Sequence, residues 1–347
     1  MTVRVGIIGA SGFTGAELLR LLAVHPDLEL VVATGESQAG TVVADLYPSL
    51  AAAYPDLVFA PLTNDLADAH ELDLVFCALP HGTSQGIVPG LLDGQRTVVD
   101  LAADFRLKDA SLYPTWYGAK HAVPELLPEA VYGLPELFRN ELVGARLIAT
   151  PGCYVTTATL ALAPLLAAGL VEPTGIVVDA ASGVSGAGRP PKPTSAFCTV
   201  DEDFTAYGVL DHRHTPEIEQ NLTHVAGAAA QVLFTPHLAP MNRGILATCY
   251  ARPTRSVTTE SLRVTLRDAY AAEPFVVVRD TPPSTKATLG SQQVHVTAYA
   301  DERTGWVVAI AALDNLTKGA SGGAIQAANV ALGLDETAGL PLVGLYP

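Results

Sequence analysis

Cysteine and cationic residues are both scarce in this chain of 347 residues. Its cysteines, Cys77, Cys153, Cys198 and Cys249, are widely spaced and form no CxxC pair. Neither a zinc-binding nor a disulfide framework is expected, and any cysteine chemistry is that of a single thiol. Lysine and arginine total 20 against 35 aspartates and glutamates, a formal net charge of −15. That balance excludes a broad phosphate-neutralising surface for nucleic acid but leaves open a pocket for a small anion, which needs only a few local cations. Long apolar runs are missing too. The most apolar stretch, residues 155–170, carries three threonines and a proline, and it falls short of the roughly 20 apolar residues that span a bilayer. Thr2-Val3-Arg4-Val5 leads straight into an apolar strand instead of a basic leader, so a cytoplasmic location is expected.

What is present points to a compact, turn-rich protein. Hydrophobic residues make up 49% and charged residues 16%, with 30 glycines and 25 prolines, a composition unlike that of disordered chains. The length suits about two domains.

Residues 3–9 read as a short buried strand, residues 16–24 as a helix, and residues 28–33 as a second strand. Between the first strand and the helix lies Gly9-Ala10-Ser11-Gly12-Phe13-Thr14-Gly15. Strand, glycine turn, helix and strand make the first unit of a doubly wound, Rossmann-type sheet, and the runs at 72–78, 97–101 and 146–149 extend it. After Thr150 the character changes. An Ala/Leu helix over residues 155–168 is followed by strand-like runs at 175–180, 230–234, 246–251, 275–278, 293–299 and 306–311. This predicts an α+β domain with one sheet backed by helices. Residues 182–193 form a Gly/Pro-rich candidate functional loop, and residues 318–332 an alanine-rich helix. The expected fold class is α/β, with a dinucleotide domain over 1–150, a catalytic and oligomerisation domain over 151–314, and a C-terminal helical segment over 315–347.

Gly9, Gly12 and Gly15 follow a GxxGxxG spacing that serves a tight turn, close approach of backbone to pyrophosphate, and a phosphate at a helix N-terminus. Ser11, Phe13 and Thr14 lie within that cradle. The alternative is a glycine-rich turn that holds no ligand. Thr34-Gly35-Glu36-Ser37 ends the second strand without an arginine. Glu36 favours free ribose hydroxyls and hence NAD, whereas Ser37 and nearby N–H groups can hold a 2′-phosphate.

Thr150-Pro151-Gly152-Cys153-Tyr154 places Cys153 between a Pro-Gly turn and a long helix, where the positive helix end favours thiolate and makes it the natural nucleophile. His212-Arg213-His214-Thr215-Pro216-Glu217 puts two histidines and an arginine before a Pro-started helix, suiting proton transfer and anion binding. A metal reading of the His-x-His pair lacks a further ligand cluster, and no metal is expected. A solvated helix start is the blander alternative. Ser182-Gly183-Val184-Ser185-Gly186-Ala187-Gly188-Arg189 offers backbone N–H groups and a cation suited to an anion, or else a plain surface loop.

Together with Leu79-Pro80-His81-Gly82, Asp104-Phe105-Arg106, Tyr132-Gly133-Leu134-Pro135-Glu136, Asn315-Leu316 and Lys318-Gly319-Ala320, these segments resemble the N-acetyl-gamma-glutamyl-phosphate reductase family over nearly the whole chain. The resemblance implies NADPH-dependent reductive dephosphorylation of N-acetyl-γ-glutamyl phosphate to N-acetyl-L-glutamate 5-semialdehyde through a cysteine thioester, in arginine biosynthesis. It further implies a homodimer or homotetramer and a C-terminal helix returning to the first domain. Cys153 is then the nucleophile and His214 the acid and base, with His212 left to bind substrate. Arg106, Arg189, Arg213 and Lys192 are the cations available to substrate phosphate and carboxylate. Ser37, Pro80, Ser182, Gly183, Asn315 and Gly319 are expected beside the nucleotide. The sequence departs from the family where Thr150 replaces the commoner Asn, Val155 the commoner Pro, and Glu36-Ser37 the frequent Ser-Arg. Aspartate-semialdehyde dehydrogenase, which shares the mechanism on aspartyl phosphate, is the alternative.

Overall fold

The computed structural model describes residues 2–346. The chain divides into two units. The first comprises the chain through Pro151, Gly188–Pro190 and Ala320–Leu340; the second comprises Gly152–Ala187, Pro191–Gly319 and the chain from Pro341 onward.

Short runs of β-branched and leucine residues, buried on both faces, build the sheet of the first unit. Its strands are β1 (Val3–Ile8), β2 (Leu28–Ala33), β3 (Leu74–Cys77), β4 (Thr97–Asp100), β5 (Val131–Tyr132) and β6 (Leu147–Ala149), in the order β2-β1-β3-β4-β6-β5. Every pairing is parallel. From β1 the chain runs to β2 on one side, while β3 lies on the other. The strand ends at β1 and β3 therefore form a topological switch point, the place where open α/β sheets bind ligands. Two-residue β5 carries no periodic signal, and sequence pattern does not reveal it.

The longer helices are α1 (Phe13–Leu22), α2 (Pro135–Leu142), α3 (Cys153–Ala167), α4 (Thr215–Ala226), α5 (Thr259–Ala269) and α6 (Gly322–Leu332). α1 starts three residues before the expected Ala16, because Gly12 caps it and the rest of the glycine turn is already helical. α6 belongs to the first unit and is buried on nearly all its residues. Polar side chains tie it down there. Ser321 Oγ donates to the Thr14 carbonyl at 2.8 Å, His25 Nε2 lies 3.1 Å from Asn329 Oδ1, and Gln326 donates to Glu136 at 3.1 Å. A wide π-type turn, Thr317–Ser321, precedes α6 where sequence pattern predicts α-helix from residue 318, and the Gly319 N–H reaches back five residues to the Asp314 carbonyl.

The second unit is a seven-stranded sheet of β7 (Ile176–Ser182), β8 (Thr205–Ala206), β9 (Val232–Leu238), β10 (Ile245–Ala251), β11 (Val276–Val278), β12 (Val294–Asp301) and β13 (Trp306–Leu313), ordered β11-β12-β13-β10-β7-β9-β8. β7–β9 and β11–β12 are parallel and the other pairings antiparallel. β9 runs on past Phe234 through Pro236 to Leu238; the proline is tolerated because only the two-residue edge strand β8 lies beyond it.

α3 is apolar all round and buried along almost its whole length. Pro164 lies inside it and has no N–H to give the Leu160 carbonyl. The Tyr270 hydroxyl supplies that bond instead, at 2.7 Å. α4 ends on Gly227 in the left-handed conformation, and α5 begins with a reciprocal cap between Thr258 and Ser261.

Candidate active site

In the first unit the glycine turn leaves β1 through Gly9 at φ +86°, where a Cβ would lie 2.5 Å from the Ala78 carbonyl oxygen. Thr34 secures the turn from β2, taking the Gly9 N–H on Oγ1 (3.1 Å) and the Ala10 N–H on its carbonyl (2.7 Å). At Gly15 a Cβ would come within 2.4 Å of the Ala10 backbone, so only glycine lets α1 start this close to the strand. Above Gly12 the space is open: a Cβ there would meet nothing within 4 Å among the described residues. Tyr47 donates from its hydroxyl to the Ser11 carbonyl at 2.7 Å and steadies the turn. Phe13 and Thr14 open a helix whose cap residue, Gly12, brings no side-chain acceptor for their N–H groups. An uncapped helix start beneath open space fits a dinucleotide pyrophosphate.

Glu36 and Ser37 are both exposed on the turn after β2, Glu36 with φ +27°. Pro80 is exposed on the segment after β3. That segment is clamped by two carboxylates. Asp104 accepts from the Gly82 N–H at 2.6 Å, and Asp100, buried at the end of β4, accepts from Ser84 Oγ at 2.6 Å. Burial pushes the Asp100 carboxyl up to about 7. Arg106 is buried and donates to the Leu101 carbonyl at 2.9 Å. Half-buried Arg189 belongs to the short segment that joins the first unit.

In the second unit Cys153 is the first residue of α3, half-buried, with Gly152 as its cap. Two glycines crowd it. A Cβ on Gly152 would lie 2.4 Å from His214 Nε2, and one on Gly319 would lie 2.8 Å from the Cys153 Cβ. The imidazole of His214 thus packs on the residue next to the thiol. Buried Glu217, in the first turn of α4, accepts the Gly152 N–H at 2.9 Å and holds the Pro-Gly turn to the histidine-bearing helix.

His212 and His214 stand edge-on at 4.7 Å, with the Tyr154 ring 5.8 Å from one and 5.9 Å from the other. Burial, reinforced by the Arg213 charge, pushes His212 down to about 4. The Tyr154 hydroxyl donates to the His237 carbonyl at 2.9 Å, and the Tyr207 hydroxyl donates to Tyr154 at 3.2 Å. Burial raises both phenols, Tyr207 to about 12.

Arg213 and Lys192 are exposed, and Lys192 Nζ lies 3.5 Å from the Ala187 carbonyl. Ser182 and Gly183 are buried where β7 ends. Asn315 pins the neighbouring loop, accepting from the Gly244 N–H at 2.7 Å and donating to Ser185 Oγ at 3.0 Å. Among the described residues no group of three or more His, Cys, Asp or Glu side chains could hold a metal ion, and no helix is long and apolar enough to cross a membrane.

Cys153, His212 and His214 come together with Gly319 in the second unit, while Gly9 to Gly15, Ser37, Pro80, Arg106 and Arg189 lie in the first. Sequence pattern missed Glu217, Gly152 and Tyr207 as parts of the site. Glu217 reads as an acid complementing the start of its helix, and its bond to Gly152 spans 65 positions.

Residues 4–145 match the semialdehyde dehydrogenase NAD binding domain and residues 153–315 the semialdehyde dehydrogenase dimerisation domain. With a glycine turn in the first and a histidine-flanked cysteine in the second, the chain is an oxidoreductase of the semialdehyde dehydrogenase class. It is 48% identical to the N-acetyl-gamma-glutamyl-phosphate reductase of Magnetococcus marinus, covering all of this chain and 99% of that one. It is 52% identical, over the full length of both, to the enzyme of that name from Acidothermus cellulolyticus. The chain belongs to the N-acetyl-gamma-glutamyl-phosphate reductase family. Among solved structures, the aspartate semialdehyde dehydrogenase II of Vibrio cholerae, complexed with ASA, shares the fold at TM-score 0.71 and 16% identity, over 95% of this chain and 98% of that one. The Candida albicans aspartate semialdehyde dehydrogenase with NADP does so at TM-score 0.69 and 16% identity, with the same coverage.

Proposed function

We propose that this enzyme converts N-acetyl-γ-glutamyl phosphate to N-acetyl-L-glutamate 5-semialdehyde and inorganic phosphate at the expense of NADPH, a step of arginine biosynthesis in the cytoplasm. The observation that carries the reading is the start of α3, where Cys153 opens a helix and His214 packs on its cap residue. Cys153 Sγ attacks the acyl carbon, the bond to the phosphate oxygen breaks, and a thioester remains on the enzyme. His214 takes the thiol proton and passes it to the departing phosphate oxygen. A bound nicotinamide supplies the hydride that reduces the thioester. The first-turn N–H groups of α3 face the negative charge that develops on the thiohemiacetal oxygen. Collapse of that adduct breaks the carbon–sulfur bond, releases the aldehyde and returns Cys153 as thiolate, which regains its proton from water.

The first unit holds the nucleotide in this reading, with Gly9, Ser11, Gly12, Phe13, Thr14 and Gly15 around the pyrophosphate. Ser37, exposed after β2, receives the 2′-phosphate. The Candida albicans aspartate semialdehyde dehydrogenase, of related fold and with NADP, supports NADP; Glu36 weighs toward NAD. Arg213 and Lys192 in the second unit, and Arg106 and Arg189 in the first, are the cations for substrate phosphate and carboxylate. The match of residues 153–315 to a dimerisation domain supports a homo-oligomer built through that unit.

The test is phosphate-dependent reduction of NADP, and separately of NAD, with N-acetylglutamate 5-semialdehyde, comparing the native enzyme with Cys153→Ala and Cys153→Ser. NADP turnover lost in both variants is expected. Activity retained by Cys153→Ala removes the nucleophile assignment, and a preference for aspartate semialdehyde replaces the substrate.

A further inference from the structure

The hydrogen bonds around the histidine pair have a direction, and that direction leaves two uncharged polar atoms with defined roles. A carbonyl only accepts, so the Tyr154 hydroxyl gives its proton to His237. The Tyr154 oxygen is then the acceptor for Tyr207, whose only proton is committed to that bond. The Tyr207 oxygen keeps acceptor lone pairs and nothing to donate. Next to it, edge-on at 5.5 Å between ring centroids, lies His212. His212 Nδ1 accepts the His214 backbone N–H at 3.2 Å, so the neutral ring carries its proton on Nε2. Enclosure by Tyr154, Tyr207 and Phe234, with the Arg213 charge adjacent, keeps that ring neutral at physiological pH.

One acceptor and one donor, neither charged, complement a secondary amide, which presents one N–H and one C=O. We propose that Tyr207 and His212 form an amide-reading subsite, the Tyr207 oxygen accepting the substrate's acetamido N–H and His212 Nε2 donating to its acetyl carbonyl. The inference rests on the substrate reading above and adds how the acetylated compound is told from its unacetylated counterpart. A free α-amino group is cationic, offers only donors, and leaves the His212 N–H without an acceptor in a half-buried site. A site built around specific hydrogen bonds discriminates strongly against a ligand that leaves them unmade.

The experiment compares native enzyme, Tyr207→Phe, His212→Leu and His212→Gln. Each is assayed for kcat/KM with N-acetylglutamate 5-semialdehyde and with glutarate semialdehyde, the same chain lacking the acetamido group. Dissociation constants for N-acetylglutamate and glutarate are measured by calorimetry, and melting curves check folding. Tyr207→Phe and His212→Leu are expected to lower the acetylated-to-unacetylated ratio of kcat/KM by about tenfold, a change typical of losing one hydrogen bond. The ratio of dissociation constants should move in parallel. His212→Gln, which restores an N–H near the Nε2 position, should recover part of the ratio. Equal losses on both aldehydes with an unmoved binding ratio overturn the subsite while leaving the proposed reaction standing. A native enzyme that does not turn over N-acetylglutamate 5-semialdehyde overturns the substrate reading and the subsite with it.

Discussion

Around Cys153, hydrogen atoms decide the geometry. Gly152 and Gly319 each stand where a methyl group would collide, one with the His214 imidazole and the other with the cysteine itself. Gly152→Ala should therefore push the imidazole away from the thiol, and a displacement of about 1 Å at a reacting group can cost on the order of a hundredfold in rate. Steady-state kcat should fall by about that factor while the melting temperature drops only a few degrees. Glu217→Ala frees the same turn by another route; Glu217→Gln, whose amide oxygen can still take the Gly152 N–H, should retain more activity than the alanine variant when the two are assayed side by side. The cysteine and the histidine pair are legible in sequence because each sits in a short motif at a helix start. Their neighbours are not. The Glu217 bond crosses 65 positions and the Tyr207–Tyr154 bond 53, and no local pattern encodes such meetings.

At the scale of single elements, polar groups at strand and helix interiors carry consequences of their own. Asp100 at the end of β4 has its carboxyl raised to about 7 by burial. The folded protein holds that proton where the unfolded chain has released it, so stability is fully present below about pH 4 and is lost as pH rises through about 7. Asp100→Asn keeps an acceptor for Ser84 and the Ala102 N–H but cannot ionise. Its melting temperature should match the native value near pH 4 and exceed it by several degrees at pH 8, as thermal melts across that range will show. In α3, Tyr270→Phe removes the hydroxyl that bonds the Leu160 carbonyl in place of the missing Pro164 N–H. A buried carbonyl left unmatched costs roughly 1–3 kcal/mol, measurable by urea denaturation. Strands of three or more residues were legible, either as short apolar runs buried throughout, as in β3, β4 and β6, or by alternation. β7, β10 and β13 alternate inward and half-exposed residues, whereas two-residue strands β5 and β8 have no period to read. The extension of β9 through Pro236 is hidden because proline marks a break unless the neighbouring edge is known.

At the scale of the molecule, the composition change near residue 150 marks where the first unit gives way to the second. Composition carries no sign that Gly188–Pro190 and Ala320–Leu340 belong with the first unit. α6 supplies hydrogen-bond partners to His25 and Glu136, and the preceding Ser321 one to Thr14, so residues 1–151 by themselves lack these bonds. A fragment ending at Pro151 should remain partly unfolded and fail to bind dinucleotide by fluorescence titration, while the same fragment joined through a flexible linker to residues 320–340 should fold and bind. Recovery of full binding by the short fragment would assign α6 a lesser part.

The discontinuity of the first unit also sets a clock on its birth. A ribosome delivers β1 and the glycine turn well before α6, which follows Gly152–Gly319 in the chain. Domains usually complete themselves in the order of synthesis, but here the second unit has all but its final residues before the first has its closing helix. Until then the nascent chain carries the buried residues of α1 without the contact that α6 gives them.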